Sequence, residues 1–378
     1  MKSCLRHRRH SGYRSTLLPN ATVLERGCVQ RTSRNTLESS TTSGGFEQSS
    51  LATLLRLVFD TAALQGLGHD ATLGDSKLRI ARLLLWTSLL IGLSPMNLVE
   101  GAEPKREPRF RDLVYATFNG VDLKLDLYLP QKTNALVVVY VHGGAWREGS
   151  KNEMPLGALV DQGYAVASVD YRLSRVVQFP AQAHDIKAAI RFLRGEGSRL
   201  GVDASRIAVA GSSAGGHLAA LVGVSNRIKA LEGTVGDYLP ESSDVQAIVS
   251  LFGASNLQTI LAQSTPYGLK VRVPALQLLL GGQPEDQPEI TRLASPVFHV
   301  DATDPPLLLI HGDQDPQMPI NQSHELQGAY EAAGLPVQFH VIHGAKHGGS
   351  EFYDKTRIKL IREFLDKHLQ PDPKNTSK

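Results

Sequence analysis

Between residues 102 and 378 the chain has no cysteine; its two, Cys4 and Cys28, lie near the N-terminus. That excludes a disulfide framework and any cysteine-ligated metal site from most of the protein. Charge of one sign is also lacking there. Residues 1–101 carry 12 Lys and Arg against 7 Asp and Glu, and the remainder carries 28 against 30. The net charge of +3 therefore belongs to the leader, and the rest has no positive field suited to nucleic acid. There is no P-loop and no dinucleotide fingerprint. The most membrane-like stretch, residues 83–93, is 11 residues long, well short of the ~20 that span a bilayer.

What is present divides into a leader and a patterned body. Lys77-Leu78-Arg79-Ile80-Ala81-Arg82 is a basic patch, residues 83–93 are mostly apolar, Ser94-Pro95 breaks the run, and Val99-Glu100-Gly101 offers small residues for cleavage. That is the layout of a secretory signal peptide over residues 77–101. It predicts a secreted or periplasmic protein with no stable membrane span after cleavage; anchoring through the same segment is the alternative. Residues 1–76 are rich in Arg, Ser and Thr with no sustained period. They are expected to be disordered or an extension of the gene model, with translation starting near Leu73 or Leu78.

From residue 105 to 370 strand and helix patterns alternate. Residues 121–129 alternate at period two, with Leu123, Leu125, Leu127 and Leu129 on one face, and predict an early antiparallel strand. Residues 135–141 and 165–169 are continuous apolar runs, as in strands buried on both faces. A helix is predicted over 180–194, with Ala183, Ile186, Ile190 and Leu193 at helical spacing. Strands over 206–210, 247–252, 307–310 and 338–342 follow, with helices over 323–333 and 351–368. The prediction is one mostly parallel sheet with helices on both faces. Residues 254–300 interrupt the alternation and predict a small helical insertion of the kind that forms a lid or acyl pocket.

The chemistry concentrates at the strand ends. Gly211-Ser212-Ser213-Ala214-Gly215-Gly216 follows the apolar run 207–210 and precedes an apolar helix. This is the strand–turn–helix setting of a G-x-S-x-G nucleophile elbow, with Ser213 as nucleophile. His142-Gly143-Gly144-Ala145-Trp146 follows the strand over 135–141. Glycines there let backbone N–H groups approach a substrate oxygen, which assigns the oxyanion hole to Gly143, Gly144 and Ala214. Trp146 is a candidate lining residue of the substrate pocket, with core packing as the alternative.

The acid follows the strand over 307–310. Asp313 and Asp315 both qualify; Asp315 is preferred, because Asp313 lies closer to the strand end and suits local bonds within the loop. The base is His347, in a loop after the last strand that can reach the elbow, with His343 as competitor. His340, His343 and His347 do not make a metal site, since the glycines among them break any helix face. His142, His217 and His311 are expected to be structural.

Together these parts resemble the esterase/lipase branch of the α/β-hydrolase superfamily that carries an HGG oxyanion loop. The likeness runs over roughly residues 109–369. It includes Asp170-Tyr171-Arg172-Leu173, Phe179-Pro180-Ala181, the run from His184 to Arg191, the elbow from Gly211 to Ala220, and Asp304-Pro305-Pro306. Within that branch the chain is similar to bacterial acetylxylan and feruloyl esterases. The resemblance implies a Ser213, Asp315, His347 triad, no cofactor and no metal. The implied substrate is a small-molecule or carbohydrate ester. It further implies that Asp170 and Arg172 hold strand ends by an ion-pair network. The HGGAW run also fits kynurenine formamidases, which leaves amide hydrolysis as an alternative, alongside a serine peptidase of the same fold.

Overall fold

The computed structural model describes residues 106–369. The leader, with its signal-like segment at 77–101, lies outside the described residues. Eight strands form one sheet in the order β1-β2-β4-β3-β5-β6-β7-β8. They are β1 (Phe110–Phe118), β2 (Val121–Tyr128), β3 (Ala135–Val141), β4 (Ala165–Val169), β5 (Val202–Ser212), β6 (Ala247–Leu251), β7 (Leu307–Gly312) and β8 (Val337–Ile342). The β1–β2 and β2–β4 pairings are antiparallel, and every other pairing is parallel. β1 carries no clear period because two register shifts interrupt its pairing with β2. The Asn119-Gly120 turn that joins them has both residues at positive φ, 49° and 77°, as a tight hairpin demands.

Successive side chains of a strand point to opposite faces, so each central strand feeds two cores. Val137, Val139, Val141, Ile207 and Val209 pack on one side with Ile186, Ile190 and Leu218. Those three come from α2 (Ala181–Leu200) and α3 (Ala214–Gly223). Val138, Tyr140, Ala208 and Ala210 pack on the other side with Leu159, Ile358 and Ile361. They belong to α1 (Gly157–Asp161) and α9 (Lys355–Leu369).

α2 runs six residues past the expected end at Arg194. Gly195 does not end the helix but serves close packing: a Cβ there would lie 2.1 Å from the Tyr238 ring. Gly201, left-handed at φ 76°, supplies the actual cap. The last helix begins at Lys355 rather than 351, because Ser350–Phe352 forms a separate 3-10 turn.

The insertion is helical as expected. It holds α5 (Ile260–Gln263), α6 (Pro266–Leu280) and α7 (Pro288–Leu293). α6 opens on Pro266 with the Thr265 hydroxyl accepting from the Gly268 N–H, an N-cap built into the sequence. Ala275, Leu276 and Leu279 join the larger core, so the insertion is packed down rather than standing free. No helix among the described residues is long and apolar enough to cross a membrane.

Candidate active site

Ser213 links β5 to α3 with φ 54° and ψ −118°, a strained conformation for a residue with a side chain. Its own N–H donates to the Leu251 carbonyl at 2.9 Å, which fixes the turn to β6. The turn closes only because its flanks are glycine. A Cβ on Gly215 would lie 2.0 Å from the Val141 oxygen and 2.5 Å from that of His142. A Cβ on Gly211 would lie 2.2 Å from the Gly215 oxygen. These contacts are backbone on backbone and leave no side chain free to yield. Gly215→Ala is therefore expected to cost about 3 kcal/mol of stability or more, measured by denaturant unfolding.

The expected triad comes together. The His347 Nε2 lies 2.8 Å from the Ser213 Oγ, and the His347 Nδ1 lies 2.6 Å from the Asp315 Oδ2. A carboxylate at that distance keeps the proton on Nδ1, so Nε2 is the acceptor and the serine hydroxyl donates to it. Asp315 is fixed in turn: its Oδ1 accepts the N–H groups of Gln317 and Met318, each at 2.8 Å. His311 approaches its Oδ2 at 3.3 Å. Burial alone would raise this carboxyl, but these donors hold it well below the usual carboxylate range. Phe252 meets the imidazole of His347 edge-on at 5.0 Å between centroids.

The competing pair is real but separate. His343 Nδ1 sits 2.7 Å from Asp313 Oδ2, and Asp313 Oδ1 accepts the Gly344 N–H at 2.7 Å. The His343 side chain is 86 % exposed, so this pair ties the loop at the surface, away from Ser213.

Burial pushes His347 below the ordinary histidine value of 6.5, although Asp315 pulls the other way. A base must be neutral to act, so activity is lost as pH falls through this group's pKa. The acidic limb of kcat/KM is thus expected to have its midpoint below 6.5, read from a pH–rate profile.

The three residues expected to supply the oxyanion donors lie at the elbow and in the loop that follows β3. Ala214 is the first residue of α3, where N–H groups have no intrahelical acceptor and the helix dipole is positive. Gly143 packs on the nucleophile: a Cβ there would lie 3.4 Å from the Ser213 Cβ. Gly144, at φ 96°, turns the loop, and its carbonyl accepts from the N–H groups of Arg147 and Glu148. The His142 ring stacks on Tyr171 at 4.4 Å, and the Tyr171 hydroxyl donates to the carbonyls of His142 and Gly143.

One expectation is corrected. Trp146 is fully buried and cannot touch substrate. Its indole N–H donates to His217 Nδ1 at 3.0 Å, and the Nε2–H of His217 donates to the Ala294 carbonyl at 2.6 Å. Burial drives His217 down to about 4, so it is neutral with one tautomer. This chain of bonds ties the oxyanion loop through α3 to the insertion. Arg172 makes the ion pair expected of it, to a partner on another element. Arg172 forks onto the buried Asp185 of α2, while Asp170 accepts the Lys151 N–H at 2.7 Å. Spacing could not show this, because both partners lie on other elements.

Sheet order, elbow and triad together define an α/β-hydrolase with a serine-hydrolase site. The BD-FAE family model matches residues 125–330, and the chain belongs to that family. Among curated relatives, esterase LipC of Mycobacterium tuberculosis is 34% identical over 221 residues, 57% of this chain and 53% of its own length. Esterase LipQ of the same organism is 27% identical, over 74% of this chain and 66% of its own. The chain thus spans from about half to two thirds of those relatives' length. Among solved structures, a truncated carbohydrate esterase from gut microbiota is 32% identical with a TM-score of 0.63, covering 70% of this chain and 98% of its own.

Proposed function

We propose that the protein is a serine carboxylesterase acting on short acyl esters, with acetyl or feruloyl groups on plant polysaccharide as the substrate class. One observation carries the reading: a strained serine at a helix N-terminus in line with a histidine and a buried, multiply bonded aspartate. Ser213 Oγ attacks the ester carbonyl carbon as His347 Nε2 takes its proton. The N–H groups of Gly143, Gly144 and Ala214 receive the oxyanion. The intermediate collapses, His347 returns the proton to the departing alcohol, and an acyl-serine remains. Water then attacks with the same base, and the acid leaves. Asp315 holds the imidazole in one tautomer and stabilises its cation throughout.

The carbohydrate esterase among the solved neighbours supports the polysaccharide ester, as does a leader patterned for export. Export is part of the proposal, and sequencing the N-terminus of the native protein tests it. The substrate test compares the full chain with Ser213→Ala on acetylated xylan, methyl ferulate, a 4-nitrophenyl ester series and N-formylkynurenine. Serine-dependent release of acetate or ferulate is expected. Turnover of the formamide alone would replace this reading with amide hydrolysis.

A further inference from the structure

Arg272 is the largest buried charged side chain of the insertion, with no exposed surface. Helix α6 needs nothing of the kind for packing, since Ala275, Leu276 and Leu279 face the core beside it. The guanidinium has little to hold. Its Nε approaches the Gln317 carbonyl at a long 3.4 Å, and Nη1 and Nη2 are buried with no hydrogen-bond partner. The Trp146 ring lies 5.8 Å away. A buried cation without a bonded counter-ion is unfavourable and calls for a compensating role.

The groups around it define that role. The carbonyl it approaches is that of Gln317, whose own N–H donates to Asp315 Oδ1, so the guanidinium lies beside the turn that holds the triad acid. Asp315 attracts it, whereas Arg147 of the oxyanion loop repels it. Every hydrogen bond to Asp315 comes from elsewhere: His347, Gln317, Met318 and the adjacent His311. Arg272 therefore acts on the carboxylate as charge, not as donor. Burial lowers it to about 10, so it stays protonated at neutral pH. His347 is faced by Ser213 from the elbow, by Asp315 and His311 from the acid strand and loop, and by the Arg272 charge from α6. His217 feels the same charge.

We propose that Arg272 is a positioning residue for the triad: its fixed charge, buried beside the turn whose N–H groups hold Asp315, biases the site toward the neutral His347 imidazole that accepts the Ser213 proton. This rests on the triad reading given under Proposed function. The sign follows from Coulomb repulsion in a medium of low dielectric. Without the charge, His347 takes a proton more readily, and the base is lost at higher pH.

The test uses the full chain as wild type, Arg272→Met, Arg272→Gln and Arg272→Lys. Two readouts are taken from about pH 5 to about pH 9: kcat/KM on 4-nitrophenyl acetate, and the low-field proton resonance of the His347 Nδ1–H. Met and Gln variants are expected to shift the acidic limb and the resonance titration to higher pH. Lys, which keeps the charge, is expected to restore both toward wild type. Should one neutral variant fail to fold, the other carries the comparison. Limbs that coincide in wild type and a folded neutral variant would overturn the proposal. So would a change confined to KM for carboxylate-bearing esters, which would make Arg272 a substrate anchor. The resonance titrates without turnover. A shift seen in a protein inactive on every ester would therefore uphold the coupling and refute the esterase reading.

Discussion

Ser213→Ala is expected to lower kcat by about 10⁵–10⁶-fold on any ester that the protein turns over, while the fold stays intact. The hydroxyl lies 2.8 Å from the Nε2 of His347. Without it, no acyl-enzyme forms, and the oxyanion donors are left to assist only direct attack by water. Alanine adds no atom to the turn and removes only the oxygen. The left-handed strain at φ 54° persists in either variant, so thermal stability is expected to change little. His347→Ala in the same background is expected to add almost nothing, since the two groups act as a unit. Covalent labelling offers a second readout: a serine-directed organophosphonate is expected to add to the wild type at Ser213 and to leave Ser213→Ala unmodified, by intact mass. Residual turnover within about tenfold of wild type would show that another nucleophile does the work.

Asp315→Asn is expected to lower kcat by about 10⁴-fold, whereas Asp313→Asn leaves kcat near wild type. An asparagine amide at 315 can donate to His347 Nδ1, which moves the imidazole proton to Nε2. The ring then cannot accept from Ser213. The carboxylate is also the acceptor for Gln317 and Met318, so its turn loosens at the same time. Asp313 has the same chemistry but the wrong partner, a histidine whose side chain is almost entirely exposed. The two variants, assayed side by side for kcat, separate the acids cleanly. Equal losses in both would mean that the loop, not the carboxylate, matters.

Part of this was legible because it is local. An elbow is a backbone conformation, and the glycines at 211 and 215 record where atoms of β3 and α3 come too close for a Cβ. The HGG loop is legible for the same reason. Period-two and continuous apolar runs gave the strands buried on one or both faces. β1 escaped because its bulges erase the period. The end of α2 was misplaced because a glycine that admits the Tyr238 ring has the same letter as a glycine that ends a helix.

The sequence by itself determined the α/β layers and marked a candidate nucleophile, a candidate oxyanion loop and a short list of acids and bases, since each is written in neighbouring residues. The sequence ranked Asp315 above Asp313 and His347 above His343, but only tertiary structure brings the chosen groups into contact. Ser213 and His347 are 134 residues apart, and their contact depends on the register of β5 through β8, which no local pattern encodes. Asp313 and Asp315 sit two residues apart in one loop, and the positions of His343 and His347 give each its separate partner. Trp146 became core rather than pocket because α3 and the insertion close over it. Arg272 carried no signal at all, because a helical pattern shows which residues share a face but not which charge that face will meet.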